Sequence, residues 1–158
     1  MVQLMKASMK DCSLLHKMQV LSFQSLLEKY KDLDTNPGAE SIERVKERMK
    51  QVYTDYYLIS VQKVMVGGIR IIRLQNDVCR ISPMFILPEF QGNGYAQEVI
   101  KEIERLYPQT IMWTLDTIKE ESLLCHLYEK MGYKATGKEE KLQENLTIKY
   151  YCKQTKNT

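Results

Sequence analysis

The stretch Phe85-Ile86-Leu87-Pro88-Glu89-Phe90-Gln91-Gly92-Asn93-Gly94-Tyr95-Ala96 joins an apolar, strand-like run to an amphipathic helix through a turn with two glycines. Within residues 92–106, Ala96, Val99, Ile100, Ile103 and Leu106 recur at helical spacing. The first amides of such a helix have no partner inside it, and their partial positive charge adds to the helix dipole. A turn of this kind favours a phosphate or pyrophosphate. Gly92 and Gly94 permit backbone conformations, and a closeness of approach, that a side chain obstructs. Two common phosphate loops are absent: no Gly-Lys-Ser/Thr ending follows, and no third glycine completes a dinucleotide fingerprint. Spacing alone leaves two readings open, an anion site and a plain structural turn.

Working outward, residues 56–61, 64–74 and 78–87 are rich in Ile, Val and Tyr. Short turns such as Gln75-Asn76-Asp77 join them into an antiparallel meander. Pro83 cannot donate a ladder hydrogen bond, so the third strand must hold an edge, a bulge or a break there. Before the meander, residues 2–7 alternate enough for a short strand. Ser8 or Asp11 then caps a helix carrying Leu14, Leu15, Met18, Leu21 and Leu26. Asp34-Thr35-Asn36-Pro37-Gly38 has loop chemistry, and Ser41 caps a second helix that buries Ile42, Val45 and Met49. After the glycine turn and its helix, residues 111–115 form a strand. A helix over 119–131 buries Leu123, Leu124, Leu127 and Met131, with Gly132 as its stop. Two strands, 133–137 and 146–152, end the pattern. The fold class is α/β (α+β): a mixed, mostly antiparallel central sheet flanked by about four helices.

At 158 residues the chain suits one domain over 1–158, with 44% apolar and 27% charged residues. No apolar run approaches the ~20 residues needed to cross a bilayer, and no secretory leader is evident, so a cytoplasmic location without membrane attachment is expected. A net charge of +3, with bases interleaved among acids, argues against a nucleic-acid partner. Cys12, Cys79, Cys125 and Cys152 form no C-x-x-C pair and stand at no zinc spacing with His16 or His126. Four reduced thiols and no metal site are expected.

Gln91-Gly92-Asn93-Gly94-Tyr95-Ala96 resembles the signature Gln/Arg-x-x-Gly-x-Gly/Ala of the GNAT superfamily of N-acetyltransferases, and Leu87-Pro88-Glu89-Phe90 resembles its usual lead-in. Downstream, Leu127-Tyr128-Glu129-Lys130-Met131-Gly132-Tyr133 is similar to the family's second motif, Leu-Tyr-x-Lys-x-Gly-Phe/Tyr. The predicted element order also resembles the family from end to end.

The resemblance implies an enzyme that transfers the acetyl group of acetyl-CoA directly to an amine acceptor. The amides of Gln91, Gly92, Asn93, Gly94, Tyr95 and Ala96 are expected to hold the coenzyme pyrophosphate. The pantetheine arm is expected between the strand before the signature and the strand after it, against the backbone of Phe85, Ile86 and Leu87. Tyr128 is the expected general acid, since a phenol with pKa ≈ 10 stays protonated at neutral pH and can protonate a departing thiolate. Its bland alternative is a core ring with a hydroxyl satisfied elsewhere. The position where the family often carries a pantetheine-binding asparagine is Glu121, which accepts but does not donate when ionised. No general base stands out: the strand offers Arg80 and Ser82 where many members have a carboxylate, leaving Asp77, Asp116, His126 or a water relay. Acceptor recognition is expected from residues 23–49, with Glu28, Tyr30, Asp32 and Asp34 as candidates for a cationic amine. The resemblance allows a homodimer. The rival functional reading is a degenerate domain that binds the coenzyme as a sensor or interaction module without turnover.

Overall fold

The computed structural model describes residues 1–155; the last three residues of the expected 1–158 domain lie outside the described residues. Seven strands form one sheet: β1 (Val2–Lys6), β2 (Thr54–Val61), β3 (Val64–Arg73), β4 (Val78–Ile86), β5 (Met112–Ile118), β6 (Lys134–Gln143) and β7 (Leu146–Gln154). Their order is β1-β2-β3-β4-β5-β7-β6. Neighbours run antiparallel except β4 and β5, which are parallel and therefore need the long crossover through a helix. The mixed sheet and its four helices match the expected class.

Helices α1 (Cys12–Tyr30) and α2 (Ile42–Lys50) cover one face, and α3 (Tyr95–Leu106) and α4 (Ser122–Lys130) the other. Ser41 caps α2 as expected, its hydroxyl accepting from the Arg44 amide at 3.2 Å. The α3 side buries Val99, Ile100 and Ile103 against Ile69, Ile71, Trp113 and Leu115. The α1 side buries Leu15, Met18 and Val45 against Tyr56, Leu58, Phe85 and Leu87. Each fully buried side chain of this size contributes roughly 1.5–3 kcal/mol.

Pro83 lies in a bulge. The β3–β4 register passes from Ile69↔Met84 to Ile71↔Ile81, so Ser82 and Pro83 together oppose Arg70. The buried Arg70 guanidinium donates to the Ser82 carbonyl, which has left the ladder. One extra residue also inverts the alternation of side chains between faces. Before the bulge, Cys79 and Ile81 face α3; after it, Phe85 and Leu87 face α1 while Ile86 takes the α3 side. The strands approach closely here: a Cβ at Gly67 of β3 would lie 2.0 Å from the Phe85 carbonyl oxygen.

Several expectations are corrected. α3 begins at Tyr95, not residue 92, because Gly92 and Gly94 have φ of +82° and +79°, outside helical space. Leu14 and Leu21 are exposed, since α1 buries a narrow stripe through Cys12, Leu15, Met18 and Gln19. Leu123 is 84% exposed, because α4 turns Cys125 and Tyr128 inward instead. β6 runs to Gln143 rather than residue 137; its charged run Lys138-Glu139-Glu140-Lys141 hides a strand held by pairing with β7. All four cysteines are free thiols, three of them buried.

Candidate active site

β4 and β5 pair only at Val78↔Met112, Cys79↔Trp113 and Arg80↔Thr114. Beyond that level they separate, and a cleft of about 850 Å³ opens between them, reaching from the glycine turn to α1. The bulge at Ser82–Pro83 sits where the separation begins. A gap beside a bulged strand exposes backbone groups that a continuous sheet would have paired.

The turn at the end of β4 forms one wall of the cleft. Gln91 Nε2 donates to the Ile86 carbonyl at 2.8 Å, and Asn93 Nδ2 donates to the Phe90 carbonyl at 3.0 Å. Both side chains thus brace the turn from behind. Nothing lies within 4 Å of a Cβ built on Gly92 or Gly94, so the concave side is open. Gly94 caps α3, its carbonyl accepting the Glu98 amide at 3.2 Å. The first amides of α3 have no acceptor inside the helix, but the Gln91 amide, expected at the pyrophosphate, donates to the Pro88 carbonyl at 3.3 Å and is not free. Tyr95 and Ala96 start α3, half-buried, and pack on the core.

Phe85, Ile86 and Leu87 are all buried, but their backbones face different ways. The Leu87 amide donates to Val66 of β3 at 2.8 Å, so it is not free for a ligand in the gap. By strand alternation the Phe85 backbone also turns toward β3, whereas that of Ile86 turns toward the gap. The Ile86 carbonyl is taken by Gln91, which leaves the Ile86 amide facing the opening.

Tyr128 comes from α4 on the opposite wall, 8% exposed and lining the cleft. Its ring meets Tyr133 edge-on with centroids 6.1 Å apart and tilts against Tyr151 at 6.4 Å. Among the described residues its hydroxyl forms no hydrogen bond, although its ring packs as a core residue does. Burial and the charge of Asp116 push the phenol above its ordinary pKa, so it holds its proton throughout the neutral range.

Glu121 is committed elsewhere in this structure. It stands at the N-cap of α4, and its carboxylate accepts from Tyr30 Oη at 2.5 Å and Lys29 Nζ at 2.7 Å. It therefore ties the end of α1 to the start of α4 beside the cleft. Burial raises its pKa, but the bonds from Lys29 and Tyr30 outweigh that and hold it below the usual carboxylate value. Sequence spacing gave no signal for this tie, because its partners lie more than ninety positions away.

The other acidic candidates are sorted by position. Asp77 sits in the turn before β4, away from the cleft. Asp32 lines the cleft, yet it accepts from the amides of Asp34 and Thr35 at 3.2 and 3.1 Å and from the Thr35 hydroxyl. It shapes the loop after α1. Glu28 is exposed on α1. His126 is exposed on α4 and lines the cleft. Asp116 of β5 forms an ion pair with Arg80 of β4 at the start of the gap. The sequence placed neither with the other.

A profile of the family described as acetyltransferase (GNAT) domain matches residues 27–152. The chain belongs to the GNAT acetyltransferase family. No curated protein sequence matches it. Solved structures share its fold. A PaiA N-acetyltransferase from Thermoplasma acidophilum in complex with coenzyme A is 13% identical at TM-score 0.76, over 98% of this chain and 99% of that one. A spermidine N-acetyltransferase from Vibrio cholerae in complex with CoA and spermine is 17% identical at TM-score 0.74, over 96% and 94%. The ribosomal-protein-S18-alanine N-acetyltransferase from Escherichia coli is 9% identical at TM-score 0.76, over 98% and 94%. At such identities the likeness is one of fold.

Proposed function

We propose that this GNAT chain is an acetyl-CoA-dependent N-acetyltransferase that passes the acetyl group directly to an amine. One observation carries the reading: a glycine turn with an open concave face stands at the end of a strand that parts from its parallel neighbour. The amides of residues 92–96 hold the pyrophosphate, where aligned N–H groups meet negative charge, while that of Gln91 stays with the Pro88 carbonyl. The pantetheine arm lies in the gap, and the Ile86 amide is the backbone donor left to face it.

The gap brings the thioester between the two faces of the sheet. Holding both reactants in line is worth roughly 7–11 kcal/mol of the barrier. The acceptor amine attacks as the neutral base, so its ammonium first yields a proton to water or a nearby carboxylate. The C–N bond forms, the nitrogen loses its second proton, and the C–S bond breaks. Tyr128 protonates the departing thiolate and regains its proton from solvent, so each turnover releases one net proton. A phenol whose pKa is raised stays protonated until the thiolate forms, which suits an acid.

Two measurements test this. Acetyl-CoA at 100 times its Kd is expected to raise unfolding stability by about 2.7 kcal/mol. Release of coenzyme A thiol in the presence of an amine library must also exceed the amine-free rate. Stabilisation without any amine-dependent release would leave a coenzyme-binding domain that does not turn over.

A further inference from the structure

Strand alternation divides the groups around the gap between two faces. On β4 and β5, Cys79, Ile81, Trp113 and Leu115 face the α3 core, so Arg80 and Asp116 face α1. On β7, Tyr151 is buried in the α3 core, which puts Tyr150 and Ile148 on the α1 face. Register then sets Tyr150 opposite Asp116, and Glu140 of β6 opposite Ile148. Tyr128 approaches from the other face. The thioester gap thus has its acid on the α3 face and a set of charged groups on the α1 face.

Of the members of that set that line the cleft, Arg80 is basic and Asp116 and Glu140 are acidic. Asp116 pairs with Arg80, and their side chains are 28% and 27% exposed on the cleft wall. Beyond them Glu140 accepts a long hydrogen bond from Tyr150 at 3.5 Å, and Lys138 Nζ lies 4.4 Å from the Tyr150 ring centroid. Around this set the cleft has apolar walls from Phe23 and Leu26 of α1 and Ile148 of β7.

Resting on the acetyltransferase reading above, we propose that the acceptor is an α-amino acid with an apolar side chain. Its ammonium is held by Asp116, its carboxylate by Arg80, and its side chain by Phe23, Leu26 and Ile148. The argument is electrostatic. In the free protein Arg80 and Asp116 are each other's partner, and a partly buried ion that loses its partner without replacement is costly. A zwitterion replaces the single pair with two charge-assisted pairs and strands neither ion. An amine without a neighbouring carboxylate takes Asp116 and leaves Arg80 alone. A polyamine likewise brings no carboxylate to replace Asp116 at Arg80.

The test compares acceptors with the unaltered protein. Thiol release from acetyl-CoA is followed with leucine, methionine and phenylalanine, with their amides, and with spermidine. The expected kcat/KM for each acid exceeds that for its amide by about 30-fold, the scale of one charge-assisted bond in a partly exposed site. Arg80→Gln should draw the acid-to-amide ratio toward one by raising KM for the acid, with circular dichroism checking the fold. Amides or spermidine working as well as the acids, no release with any acid, or an unchanged ratio in a folded Arg80→Gln would each overturn the proposal. Stabilisation by acetyl-CoA is measured alongside. If it persists and the amides or spermidine release thiol while the ratio fails, only the zwitterion assignment falls; if it is absent, or no amine releases thiol, the acetyltransferase reading falls too.

Discussion

The two ends of the cleft are built differently. At the glycine turn the groups proposed to hold the coenzyme are backbone amides, and the side chains of Gln91 and Asn93 bond back to the turn that presents them. At the α1 end the working groups are side chains, and nearly all are held by partners distant in sequence: Glu121 by Lys29 and Tyr30, Asp116 by Arg80. A backbone cradle depends on conformation and is written locally. A set of paired charges depends on which strands and helices come together. The turn can therefore be common to a fold while the opposite end differs from one member to another.

The largest expected effect is at the turn. Gly94→Trp places an indole in the open concavity and strains a residue at φ +79°. Acetyl-CoA affinity measured by calorimetry should fall about 1,000-fold, as when two charge-assisted bonds are lost. Unchanged affinity would remove the turn from the coenzyme site. Next, Tyr128→Phe should lower kcat by about 100-fold, the low end for a general acid. Its melting temperature should barely move, because the hydroxyl has no hydrogen-bond partner among the described residues. A large loss of stability with full turnover would make Tyr128 a core residue alone.

Between the two ends lies the close approach of β3 and β4. Gly67→Ala sets a methyl 2.0 Å from the Phe85 oxygen and should cost about 2 kcal/mol in urea unfolding, within the usual range for overpacking. Stability equal to the parent would show that this contact readily relaxes.

The smallest effect concerns the tie between α1 and α4. Because Glu121 has a lowered pKa when folded, its contribution is present above the unfolded value of about 4.3. It disappears as pH falls through the lower folded value. Glu121→Gln should thus lose less than about 1 kcal/mol at pH 7 relative to the parent. The two unfolding curves should converge at acid pH, and a gap that stays constant with pH would show that the carboxylate charge is not what matters.

Much of the fold was readable residue by residue. Ser41 as a cap, Pro83 as an edge, bulge or break in pairing (it is a bulge) and Gly132 as a stop each follow from one residue's limits on its own backbone. β6 was half missed because its exposed, charged residues carry no apolar period, and only β7 gives it a reason to extend. Leu123 was misassigned because a helix of nine residues supports more than one plausible buried stripe. For the site, the turn and Tyr128 stood in motifs; the Arg80–Asp116 pair and the Glu121 tie did not.

The amino-acid order alone decided the strand and helix periods, the glycine turn with its freed amides, and the placing of Tyr128 one helix later. These rest on local rules, φ/ψ limits and side-chain period, that need no neighbour. Only the tertiary structure decided where β4 leaves β5, which of Phe85, Ile86 and Leu87 turns its amide to the gap, and which charges meet across it. Those follow from one bulged residue that inverts the alternation of β4 and from pairings between distant segments, and neither exists until the sheet has formed.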